Sequence, residues 1–89
     1  MTTREQEITK AILDAGHDAE GAQFIETILH AAANLRLQAA HRDPATLQEF
    51  NVAIEMAGLR GWMTRITSTV TGRPRWNINS AGESARLEM

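Results

Sequence analysis

The stretch GWMTRITSTVTGRPRWNIN, residues 61–79, decides the fold, because here the spacing of apolar residues shortens from the helical period of about 3.6 to about 2. Its first limb, Trp62 to Val70, sets Trp62, Ile66 and Val70 on one side and is dense in β-branched residues, which crowd a helix and suit a pleated strand. A turn-forming TGRP follows at 71–74, and RWNIN then alternates with Trp76 and Ile78 on one face. Two extended limbs joined by a Gly-Pro turn predict a β-hairpin.

Upstream the chain reads as helices. Thr2 with Glu5, or Thr3 with Gln6, has capping-box spacing, and Ile8, Ala11, Ile12 and Ala15 form one apolar stripe. Gly16 is expected just past the end of this helix, and Asp18 is expected to cap the next, with Glu20 in its first turn. Phe24, Ile25, Ile28, Leu29 and Ala32 then make a buried face. From Ala31 to His41 two readings stand: one helix running on, or a break near Asn34 with a short helix from Leu35 to His41. Asp43-Pro44 reads as N-cap and first helical residue, opening a helix to Leu59 that buries Leu47, Phe50, Ala53, Ile54 and Ala57.

The 89 residues make one domain with a modest core, 43% of the chain being hydrophobic. The absence of cysteine excludes disulfides, thiolate metal sites and cysteine nucleophiles. Apolar runs are too short to span a bilayer, and MTTREQE does not read as a signal peptide, so the expectation is a cytoplasmic protein without a membrane partner. The net charge of −2 is unevenly spread. Residues 1–59 carry four basic and nine acidic side chains, whereas residues 60–76 carry Arg60, Arg65, Arg73 and Arg75 and no acid. Eight of the nine basic residues are arginine, which suits phosphate and base edges, although GC-rich coding produces the same bias.

LRLQAAHRDPATLQEFNVAIEMAGLRGWMTRITSTVTGRPRWNIN, residues 35–79, resembles a winged helix-turn-helix domain. Leu37 and Ala39 stand where the short helix packs, Pro44 to Leu59 takes the place of the recognition helix, Gly61-Trp62-Met63 matches the Gly-apolar-apolar phrase, and GRPRWNIN looks like the return strand of the wing. The resemblance implies an α+β, mostly helical fold: three to four helices followed by a two-stranded hairpin. Residues 1–33 would be supporting helices, 34–60 the helix-turn-helix and 61–79 the wing, in one domain over 1–79. Residues 80–89 are expected to be a mobile tail, with a short helix folding back through Leu87 and Met89 as the other option.

The same resemblance implies binding of double-stranded DNA, by a regulator or replication accessory of a mobile element. Gln48 and Asn51, with Glu49 and Val52 beside them, would face the major groove, and amides at such positions pair with adenine. Arg42, Arg60, Arg65, Arg73 and Arg75 would neutralise phosphates. Glu49, Glu55 and the acidic helical region oppose this, and about five arginines make a weak, salt-sensitive contact, so specific binding calls for a homodimer.

The acidic helices motivate an alternative, an interaction module that binds a second copy or a larger protein partner and no nucleic acid. A third reading carries the Pro44 helix on through Trp62 to Val70, giving an all-helical dimerising adaptor. Cofactors, metal and catalysis are not expected. His17 among Asp14, Asp18 and Glu20 has no second histidine, and Ser68, Ser80 and Ser84 have no identifiable base or oxyanion site.

Overall fold

The computed structural model describes residues 2–20, 22–67 and 72–89. Its elements run α1 (Thr3–Asp18), β1 (Phe24–Ile25), α2 (Glu26–Ala39), α3 (Leu47–Leu59), β2 (Met63–Thr67), β3 (Pro74–Ile78) and α4 (Ser80–Glu88). The class is α+β. The sheet has three strands rather than two, antiparallel in the order β1-β3-β2. Among the described residues, no helix is long and apolar enough to cross a membrane.

Thr2 caps α1 through the capping box with Glu5, the first of the two pairs that the spacing allows. The helix does not stop at Gly16. It continues to Asp18, and the missing side chain at Gly16 makes room for Ile78 of β3 instead: a Cβ there would sit 3.1 Å from the Ile78 Cβ. Asp18 pairs with Arg36 of α2, and the N-cap of that helix is Ile25. Glu20 lies outside any helix, in a left-handed conformation with φ of 53°.

Phe24 and Ile25 are not helical. They form the short edge strand β1, with Phe24 opposite Trp76 and Ile25 opposite Arg75. The stripe expected of them passes to Leu29, Ala33 and Leu37, which are buried, while Ile28 is turned to solvent. α2 passes through Asn34 unbroken. That side chain reaches across to the next loop instead, its Oδ1 accepting from the Ala45 N–H at 2.8 Å.

α3 begins three residues later than the Asp43-Pro44 signal implies. Thr46 is the N-cap, and it forms a capping box with Glu49, so two free backbone N–H groups are satisfied reciprocally. Phe50, Ala53, Ile54 and Ala57 face the core as expected, but Leu47 is exposed.

The chain leaves the helical path after Leu59 and turns through Gly61, whose φ of 76° suits a residue without a Cβ. This excludes the all-helical reading. Met63 lies opposite Ile78, Arg65 opposite Trp76 and Thr67 opposite Pro74, so these six side chains share the sheet face turned to the helices. Met63, rather than Trp62 or Ile66, is the fully buried residue of β2, and Ile66 lies on the other face opposite Arg75. The expected inward position of Val70 lies outside the described residues.

Residues 80–88 take the helical option and not that of a mobile tail. Asn79 caps α4 by accepting from the Gly82 N–H at 2.9 Å and donates to the Gly61 carbonyl at 2.7 Å. Arg86 pairs with Asp14 of α1 at 2.9 Å, and His17 meets Glu83 at 2.6 Å. The close approach depends on Gly82, where a Cβ would fall 2.1 Å from the Trp62 carbonyl oxygen. Gly82→Ala is therefore expected to cost about 1–3 kcal/mol in urea denaturation, whereas Ser84→Ala on the exposed side of the same helix changes stability by less than about 0.5 kcal/mol.

Candidate nucleic-acid interface

The solvent face of α3 follows from its buried one. With Phe50, Ala53, Ile54 and Ala57 inward, the 3.6-residue repeat turns Gln48, Val52, Glu55 and Leu59 outward, with Asn51 and Met56 flanking them. All six are exposed. Gln48 and Asn51 thus lie together on uncovered helix, and Val52 beside them is half exposed.

Glu49 stands elsewhere. It is the hub of a clamp made by Arg4, which the sequence does not single out. The Arg4 guanidinium donates to Glu49 from Nε at 3.0 Å and from Nη2 at 3.3 Å. Its remaining N–H groups reach the carbonyl of Asp43 at 2.9 Å and that of Pro44 at 3.0 Å. One side chain of α1 thereby fixes both the turn before α3 and the first turn of α3. A carboxylate that would repel phosphate is instead matched by a cation and turned to α1. Arg4 and the backbone N–H of Thr46 hold the Glu49 carboxyl down at about 2, against an ordinary 4.5.

The five arginines expected at phosphates do not form one patch. Arg42 lies by α1, its Nε 3.6 Å from Glu7 and its side chain beside Lys10. Arg60 is the C-cap of α3 and stacks over Trp62, 5.2 Å from the ring centroid. Arg65 lies over Trp76 at 6.0 Å and borders a small cleft with Glu55, Gly58, Leu59 and Met63. Arg65 thus adjoins the C-terminal half of α3. Arg75 is on the opposite sheet face, between Ile25 and Ile66, and Arg73 is exposed just ahead of β3. Arg60 and Arg65 flank the end of α3, Arg73 and Arg75 extend along the hairpin, and Arg42 stands apart.

Glu55, the remaining acid of α3, is exposed beside Arg65. No group of three or more metal-ligating side chains comes together among the described residues. The arrangement offers hydrogen-bonding amides on a free helix and cations braced on aromatic rings. These features suit recognition of a polyanion by its edges and charges.

Comparison of the chain with protein-family models, with curated proteins and with solved structures finds no match.

The clamp has a consequence in acid. Because the carboxyl of Glu49 is depressed in the folded state, its pairing contributes fully above about pH 4.5 and is lost as the pH falls towards 2. Thermal melts of the protein and of Glu49→Gln are expected to differ at pH 6 and to converge as the pH falls through that window. A difference that persists unchanged at the acid end would contradict the assignment.

Proposed function

We propose that this chain is a winged-helix module that binds double-stranded DNA, placing α3 in the major groove and the β2–β3 hairpin against the backbone. The reading is carried by one observation. The uncovered face of α3 presents Gln48 and Asn51, its N-terminal acid is tied back to Arg4, and every charged residue of the adjoining segment 60–79 is an arginine. The order of elements supports it: helix, turn, helix, Gly61-Trp62-Met63 and hairpin.

In this arrangement Gln48 and Asn51 read base edges, and Val52 is placed to meet a thymine methyl group. Arg65 neutralises phosphates on the side of the helix end, Arg75 does so from the outer sheet face, and Arg73 adds to them just ahead of β3. Arg60 is held by its stacking on Trp62, so less side-chain freedom is lost on binding. Arg42, paired towards Glu7, contributes only if DNA reaches the α1 side.

A second reading has its own observation. Leu59 is 81% exposed and Val52 50%, and with Met56 they give the α3 face an apolar character that suits a protein partner. Under this reading α3 docks on protein, and the arginines serve solubility or an acidic partner.

Fluorescence anisotropy with a mixed-sequence duplex separates the two. DNA binding predicts a measurable affinity at low salt that falls steeply with added salt. Arg73→Ala/Arg75→Ala should weaken it and flatten the slope of log K against log salt by about 1.8, close to 0.9 for each phosphate left without its arginine. No binding at high micromolar protein, or a double variant indistinguishable from the parent, favours the protein-docking reading.

A further inference from the structure

The exposed row of α3 carries no cation. The helix contains neither lysine nor arginine, and its polar side chains open to solvent are two amides, Gln48 and Asn51, and one carboxylate, Glu55. Of its two acids, Glu49 is engaged by Arg4, so Glu55 alone stands on the open face. Arg60 at the C-cap and Arg65 on β2 lie over the rings of Trp62 and Trp76, past the end of that row.

These side chains differ sharply in the bases they can read. Guanine presents two acceptors to the major groove, N7 and O6, and is matched by the paired donors of arginine or by lysine. The open face of α3 has no such group. Adenine presents an acceptor at N7 and a donor at N6, which a carboxamide meets with its N–H and its carbonyl together. Thymine adds a methyl group that suits Val52, and cytosine offers its N4 amine, from which a carboxylate accepts. Asn51 and Val52 lie three and four residues after Gln48, so the three share one patch of the helix surface. Glu55 lies four residues past Asn51, about 6 Å further along the axis and close to two base steps of about 3.4 Å.

With the proposed placing of α3 in the major groove as the premise, we infer that this chain selects duplexes with an A·T core, bordered at Glu55 by a C·G pair that presents cytosine to the carboxylate. Gln48 and Asn51 pair with adenines, and Val52 meets a thymine methyl group. A G·C core sets the amide carbonyls against the guanine O6, acceptor facing acceptor. Glu55 repels phosphate and the acceptors of guanine but accepts from the cytosine amine, which makes it a specificity-determining residue. The arginines of residues 60–76 add affinity without choosing a sequence.

Anisotropy titrations at one salt concentration, with two duplexes of equal length whose cores are A·T or G·C, test the inference. The A·T duplex should bind at least about tenfold more tightly. Replacing its core adenines by 7-deazaadenine, which lacks the N7 acceptor, should remove most of that advantage with the protein unaltered. Gln48→Ala/Asn51→Ala should bring the ratio of the two affinities close to one, whereas Arg73→Ala/Arg75→Ala should weaken both duplexes alike. In a pool randomised beside the A·T core, the parent chain should enrich cytosine and Glu55→Gln should enrich adenine instead. The substituted α3 positions are exposed, so the circular dichroism spectrum should not change. Equal affinity for the two duplexes, a preference for G·C, an A·T preference that survives Gln48→Ala/Asn51→Ala, or an enriched base indifferent to Glu55→Gln would overturn the inference while leaving DNA binding intact. Absence of binding to either duplex would overturn both.

Discussion

The structure depends on Trp76. It lies on β3, the central strand, opposite Phe24 of β1 on one side and Arg65 of β2 on the other. It is buried, and its indole N–H is satisfied by Glu26 at the start of α2. Its six-membered ring lies against Gly58 near the end of α3, where a Cβ would stand 3.1 Å from the ring. A single side chain therefore joins the sheet to both helices of the α2–turn–α3 unit. Because an unpaired buried indole N–H is costly, the bond to Glu26 also fixes where β1 hands over to α2. The direction in which α3 presents its free face is a consequence of this packing.

A second fastening acts at the opposite end of α3. Arg4 bridges α1 to Glu49 and to the carbonyls of Asp43 and Pro44, so hydrogen bonds add to the burial of Ala45 in fixing the turn before α3. His30 adds to it by stacking on Phe50, with ring centroids 4.7 Å apart. With Trp76 at one end and Arg4 at the other, the helix is held at both termini while its outer face stays uncovered. Such a face is held rigid, and under the proposed function that rigidity lowers the entropic cost of binding.

Features encoded by near neighbours were legible in the sequence. The Thr2–Glu5 capping box, the hairpin, the inward pair Trp76 and Ile78 and most of the α3 core stripe follow from spacing alone. Errors arose where a distant contact overrides a local signal. Gly16 reads as a helix end, but its missing Cβ serves Ile78, which lies 62 residues away in sequence. Phe24 and Ile25 fit a helical stripe until β3 pairs with them. Asp43-Pro44 is the louder start signal, yet Thr46 with Glu49 satisfies more backbone groups once Arg4 orients the glutamate. The tail conceals α4 because it docks through small residues and ion pairs, leaving no apolar period to read. At the candidate interface, Gln48 and Asn51 are exposed where helical periodicity puts them, whereas the distribution of the arginines over two sheet faces could not be read before the register was known.

The most direct test of the account is a backbone amide map of the 15N-labelled protein titrated with a short mixed-sequence duplex at low salt. Shift changes concentrated at Gln48, Asn51 and Val52 of α3 and at Arg65, Arg73 and Arg75 are predicted, with α1 and α4 unmoved. Shifts confined to other faces, or no shifts at all, would contradict it.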